Sequence, residues 1–111
     1  MTTSAAEFVK ALHQLGKPTQ DTCDFLRAHA IAEFRAATAT QLANAARYDG
    51  WRGINLRYGI LAKEIGDLVG RPNAGLALIS SWIEPGKLTN SDYILIMREE
   101  FAEALTIAGW I

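Results

Sequence analysis

The sequence predicts a mainly α fold of the α+β class: a bundle of four to five helices with a small two-stranded β-hairpin. Three observations predict it. Apolar residues recur at three- and four-residue steps through most of the chain, the period of an amphipathic helix. Helix-start signals of the Ser/Thr-x-x-Glu/Gln kind stand before two of these stretches, at Ser4 and at Thr38. Two short runs with β-branched and aromatic members, Leu76 to Ile83 and Tyr93 to Met97, flank a Pro-Gly turn.

Each element follows from local signals. Ser4 and Glu7 open a helix over about 4–15, with Ala5, Phe8, Leu12 and Leu15 on its apolar face; Gly16 and Pro18 end it. Thr19 caps a second helix over about 20–36, with Asp21 in its first turn to favour the helix dipole. Phe25, His29, Ala32 and Ala36 share its buried face, flanked by Leu26 and Phe34. A third, short helix opens at Thr38 or Thr40 and covers about 39–46, until Tyr48-Asp49-Gly50 breaks it. A fourth helix covers about 54–69 and stops at Gly70, with Pro72 beyond. Ile54, Tyr58, Leu61, Ile65 and Leu68 form its core stripe. Strands follow over about 76–83 and 93–97, joined through the Glu84-Pro85-Gly86-Lys87 turn. A last helix covers about 98–108, with Glu99, Glu100 and Glu103 early, and Trp110-Ile111 folds back on the core. Two helices on a tight turn are the outline of a helix-turn-helix, and a hairpin after them is the outline of a winged helix.

The totals bound the function. A chain of 111 residues, half of them hydrophobic, forms one domain with its own core. No apolar run is long enough to span a bilayer, and no signal-peptide pattern opens the chain. The lone Cys23 excludes an internal disulfide and fits a reducing cytoplasm. One Cys with two His leaves no metal cluster to expect, and no cofactor motif occurs. No Ser/His/Asp set and no paired carboxylates on one helix face are present either, so the expectation is a protein that is not an enzyme.

Charge is unevenly placed. The net charge is −1, yet Arg35 to Arg71 holds six basic residues against three acidic ones, +3, while Glu84 to the end carries −3. The basic third coincides with the helix-turn-helix, where it can steer an anionic partner. Opposite the core stripe of the fourth helix stand Arg52, Asn55, Leu56, Gly59, Lys63 and Gly66, with Arg57 at the stripe's edge. Arginine pairs with guanine and asparagine with adenine, and Leu56 can meet a thymine methyl. Arg47 and the hairpin-tip Lys87 complete the set of candidate DNA contacts. Gly59 and Gly66 each cost a helix about 1 kcal/mol against alanine, which implies a close approach to that backbone by DNA or by another helix. Trp51, Leu56, Gly59 and Gly66 are the candidate interface residues for a protein partner.

Two resemblances attach to these residues. Thr40-Gln41-Leu42-Ala43 with Arg52-Gly53 and the helix after it resembles the winged-helix part of the alkylguanine-DNA alkyltransferases. That resemblance implies a helix set against DNA with Arg52 near its start. The Pro-Cys-His-Arg motif of that family is absent, so alkyl transfer is not implied. Asn55-Leu56-Arg57-Tyr58-Gly59-Ile60-Leu61, Trp82, and Met97-Arg98 to Gly109-Trp110 are similar to a module beside HNH nuclease domains in restriction-type proteins. It covers about Thr38 to Trp110 and implies DNA binding; the histidines of an HNH centre are missing.

The leading expectation is therefore a small winged-helix-like module that binds double-stranded DNA through the helix from Arg52 to Gly66. The alternative is a protein-interaction module, such as a mobile-element inhibitor or adaptor acting on a nuclease complex, with a homodimer open to it.

Overall fold

Ser4 starts the first helix by a reciprocal cap: its hydroxyl accepts from the Glu7 amide, and the Glu7 carboxylate accepts from the Ser4 amide. The computed structural model describes residues 3–83 and 93–111. Over these residues the fold is mainly α in the α+β class, with five α-helices and a three-stranded antiparallel sheet.

Helix α1 (Ala5–Leu15) buries Phe8, Ala11 and Leu12 and ends at Gly16, whose φ of 78° suits glycine. Helix α2 (Gln20–Ile31) buries Phe25, Leu26 and His29. It stops five residues before the expected end at Ala36. Ala32 turns extended, and Glu33–Arg35 form a 3-10 turn in which Phe34 and Arg35 take φ values of 56° and 54°. Left-handed backbone at two bulky residues costs about 1–2 kcal/mol each. The turn releases Ala36–Thr38 to form β1, a third strand where the sequence predicts the end of one helix and the cap of the next. The alanines satisfy a helix by propensity, but sheet pairing outweighs so weak a preference. Arg35 anchors the turn by donating from Nε to the Met97 carbonyl, 3.0 Å away. Phe34, expected beside the buried face, is instead 80% exposed.

Thr38 and Gln41 make the second reciprocal cap, which opens α3 (Ala39–Ala46). Arg47 closes that helix in the left-handed region, φ 61°. After Tyr48, Asp49 and Gly50 comes α4 (Trp51–Leu68), which begins three residues earlier than the spacing of its apolar stripe suggested. Its buried side holds Ile54, Tyr58, Leu61 and Ile65 as expected, with Ala62 beside them, but Leu68 is 42% exposed.

The apolar run after α4 divides. Gly75–Leu78 is a 3-10 turn that packs on α4, and only Ser80–Ile83 forms strand β2. Ile94–Met97 is β3. The sheet order is β1-β3-β2, all antiparallel, so the expected hairpin partner β3 is the central strand. Ala37 and Trp82 both register with Leu95, which puts these three residues on one face. Ala37 and Leu95 are buried there. The Arg98 amide and guanidinium donate to the Ile79 and Ala77 carbonyls, pinning the end of β3 to the 3-10 turn. Helix α5 (Glu99–Ile107) returns to α1, where Phe8 and Phe101 meet edge to face, centroids 5.2 Å apart. Trp110 folds back and is buried, as expected. The Glu84-Pro85-Gly86-Lys87 turn lies outside the described residues.

At the centre stands one polar cluster. His29 of α2 lies 2.7 Å from the Tyr58 hydroxyl of α4 through Nδ1 and 2.9 Å from the Leu95 carbonyl of β3 through Nε2. A carbonyl only accepts, so Nε2 carries the proton, and Nδ1 accepts from Tyr58. The imidazole is thus neutral and fixes one helix to another and both to the sheet. Burial lowers its pKa from the ordinary histidine value and raises that of the Tyr58 phenol.

Candidate nucleic-acid interface

The four residues between α3 and α4 fix how the outer side of α4 is presented. Tyr48 lays its ring over Gly53, where a Cβ would meet ring carbon Cδ2 at 2.7 Å. Its hydroxyl donates to the Asp21 carboxylate of α2, 2.9 Å away. The Thr19 hydroxyl and that of Tyr48 together hold the Asp21 carboxyl below its usual range. Glycine at position 53 thus admits the ring that locks the turn to α2.

With the turn set, Arg52, Asn55, Leu56, Gly59 and Lys63 all lie exposed on one side of α4. No described element walls them off. They do not form a uniform basic strip. Arg57 is also exposed, but it stands five residues from Arg52, about 140° round the helix on the flank toward Tyr48. Leu56 and Ile60, 67% and 42% exposed, form the ridge between these flanks, and the exposed Glu64 and Asp67 lie beside them. Lys63 reaches Asp67 at 3.6 Å, and Arg47 lies 3.9 Å from Asp24. Both pairs are solvated and weak, so either lysine or arginine can be drawn away by a phosphate. Arg52 stacks its guanidinium on Trp51, 5.4 Å from the ring centroid. Lys87, the remaining candidate cation, falls outside the described residues.

Spacing alone did not reveal a groove beside this face. Trp51, Asn55 and Gly59 recur every four residues along α4 and form one wall. Trp82, Tyr93 and Leu95 line it from the sheet side, and Ala39 and Leu76 also border it. The cleft, open to solvent, has a volume of about 450 Å³ and is lined mostly by apolar atoms. Trp51, Trp82 and Tyr93 are 43%, 46% and 50% exposed, so three large rings stand half in solvent around one cleft. The sequence signal was available in the four-residue step and in the placement of Trp82 in a strand. It was unusable without the register that puts Trp82 level with Leu95. Trp51 also borders a second cleft of about 470 Å³, formed by Tyr48 to Gly53 at the α3–α4 turn.

The two glycines of the proposed stripe part company. Gly66 is buried: a Cβ there would stand 2.7 Å from the Arg71 carbonyl oxygen. It serves the chain's own turn, which corrects its placement on the outward interface. A Cβ at Gly59 would meet nothing within 4 Å. Gly59→Ala should therefore raise stability by about 1 kcal/mol, the helix-propensity difference. Gly66→Ala should lower it by about 1–3 kcal/mol, because a backbone oxygen must move. Urea unfolding of both variants checks this pair, and a shift of the same sign in both would contradict the geometry.

Among the described residues no cluster of metal-ligand side chains occurs, and no helix is long and apolar enough to cross a membrane. Cys23 is buried, and burial raises its pKa, which disfavours the reactive thiolate. No protein-family model matches the chain, and no curated protein or solved structure matches it.

Proposed function

We propose that this protein is a small DNA-binding module of winged-helix kind that meets duplex DNA with the Arg52–Asn55–Lys63 side of α4. The observation that carries the reading is the exposure of those three residues together on the longest helix. The chain order supports it. A strand, two helices on a four-residue turn, and a ribbon whose second strand pairs with the first make a frame that presents one helix. Arg52 and Lys63 neutralise phosphates, Arg47 and Arg57 add charge at the flank, and the Asn55 amide is placed for a base edge. Neither alkyl transfer nor cleavage is part of the reading.

Fluorescence anisotropy with a labelled duplex at 50 and 200 mM salt tests it. Three phosphate contacts at a slope of about 0.9 each weaken binding about forty-fold over that range. Arg52→Ala should reduce the slope by about one contact. No binding by micromolar protein in low salt ends the proposal.

One observation favours a second reading, that of a protein-interaction module such as a mobile-element inhibitor or adaptor on a nuclease complex. The ridge of α4 is apolar at Leu56 and Ile60, with acid at Glu64 and Asp67. A defined protein complex that survives nuclease treatment and is lost in Leu56→Ser selects this second reading.

A further inference from the structure

The groove between α4 and the sheet has the features of a ligand site that shares only Asn55 with the DNA contacts proposed above. Its volume of about 450 Å³ lies within the range of about 300–1,000 Å³ common for small-ligand clefts. Three of its described lining residues are aromatic: Trp51, Trp82 and Tyr93. Trp82 leaves the sheet on the same face as the buried Leu95, but reaches past the core and stays half exposed. Rings left in this state carry a standing cost that a stacked partner removes. Gly59 keeps the α4 wall open, since no described atom lies within 4 Å of where its Cβ would be. None of the described lining residues is charged, and Asn55 supplies an amide. That amide makes no hydrogen bond with a described residue.

Resting on the DNA-binding reading above, we propose that the groove holds one unpaired, unstacked base of a DNA strand lying along α4. Trp51, Trp82 and Tyr93 offer ring faces to the base. The Asn55 amide, both donor and acceptor, meets the mixed donor and acceptor edge that every base presents. The charge pattern fits a nucleotide better than an apolar side chain of a protein partner. The Arg52 guanidinium, held 5.4 Å above the Trp51 ring, puts positive charge beside a cleft whose described lining is uncharged. A nucleotide has the same arrangement in reverse: an apolar-faced ring followed by an anion. An apolar side chain would itself leave the Asn55 amide without a partner and gain nothing from Arg52.

The test uses the full chain and three probes of one sequence: a paired duplex, the same duplex with one central unpaired base, and the single strand. Binding is read by anisotropy and by tryptophan fluorescence. The unpaired base should tighten duplex binding about five-fold or more, the effect of stacking one base on aromatic side chains. It should also quench the tryptophans. Trp82→Ala and Gly59→Leu, one removing a ring from the groove and one filling its space, should each return the ratio of the two duplexes to near one. Thermal melts establish that both variants fold. Equal binding of the two duplexes by the unaltered chain overturns the groove proposal and leaves the helix-face reading standing. A ratio that persists in both variants also overturns it. Binding of the unpaired-base duplex without binding of the paired one supports the groove and ends the helix-face reading. Failure of all three probes ends both.

Discussion

His29→Ala should destabilise the protein by about 3–5 kcal/mol, combining a core cavity with buried polar groups left unpaired. The imidazole is fully buried and holds the Tyr58 hydroxyl and the Leu95 carbonyl at once. Removing it strands both groups away from water and separates α2 from α4 and from the central strand. Tyr58→Phe should cost less, about 1–3 kcal/mol, because only the Nδ1 acceptor loses its partner. Chemical unfolding of the two variants ranks them. A loss under about 1 kcal/mol in His29→Ala would show that the cluster does not hold these elements together.

The same residue sets a pH dependence. Burial lowers the folded-state pKa of His29 below its ordinary value of 6.5. Below pH 6.5 the unfolded chain therefore takes up a proton that the folded chain refuses. The stability contribution is fully present above that value. It is lost as pH falls, by up to about 1.4 kcal/mol per unit, until the folded-state pKa is reached. Glu7 and Asp21 do not confuse this window. The Ser4 amide and hydroxyl hold Glu7 below its usual 4.5, and the Thr19 and Tyr48 hydroxyls hold Asp21 below 3.8. Urea midpoints measured from pH 7 to 5 should fall for the unaltered chain and flatten in His29→Ala. Parallel curves would assign the dependence to other groups.

Phe101→Ala should also cost about 3–5 kcal/mol, the usual loss for a large core ring. Phe101 is fully buried and meets Phe8 edge to face, so this one contact joins the first helix to the last. No residue of α1 or α5 is among the described residues that line the groove. At a temperature where the variant is folded, its duplex affinity should match that of the unaltered chain. A loss of affinity in the folded variant would mean that the terminal helices help place α4.

Some of the fold was legible because the signals are local. Ser4 with Glu7 and Thr38 with Gln41 cap helices through contacts three residues apart, which need no tertiary information. The stripe of Ile54, Tyr58, Leu61 and Ile65 follows from helix period alone. The basic character of the central third is likewise a matter of counting residues.

Other features depended on partners distant in sequence. Ala36–Thr38 reads as helix by composition and becomes a strand because Ile94–Met97 pairs with it. Phe34 and Arg35 take left-handed backbone to make that possible, a conformation their own preferences oppose. Gly59 and Gly66 look alike on a helical wheel. The Arg71 carbonyl gives one a structural role, and open space gives the other a place in the groove. Helix period and capping act over one or two turns, so the sequence alone determined the helices and the core face of α4. Strand pairing and the opposition of Trp51 to Trp82 act across the molecule, so only the tertiary structure decided the third strand and the cleft beside α4.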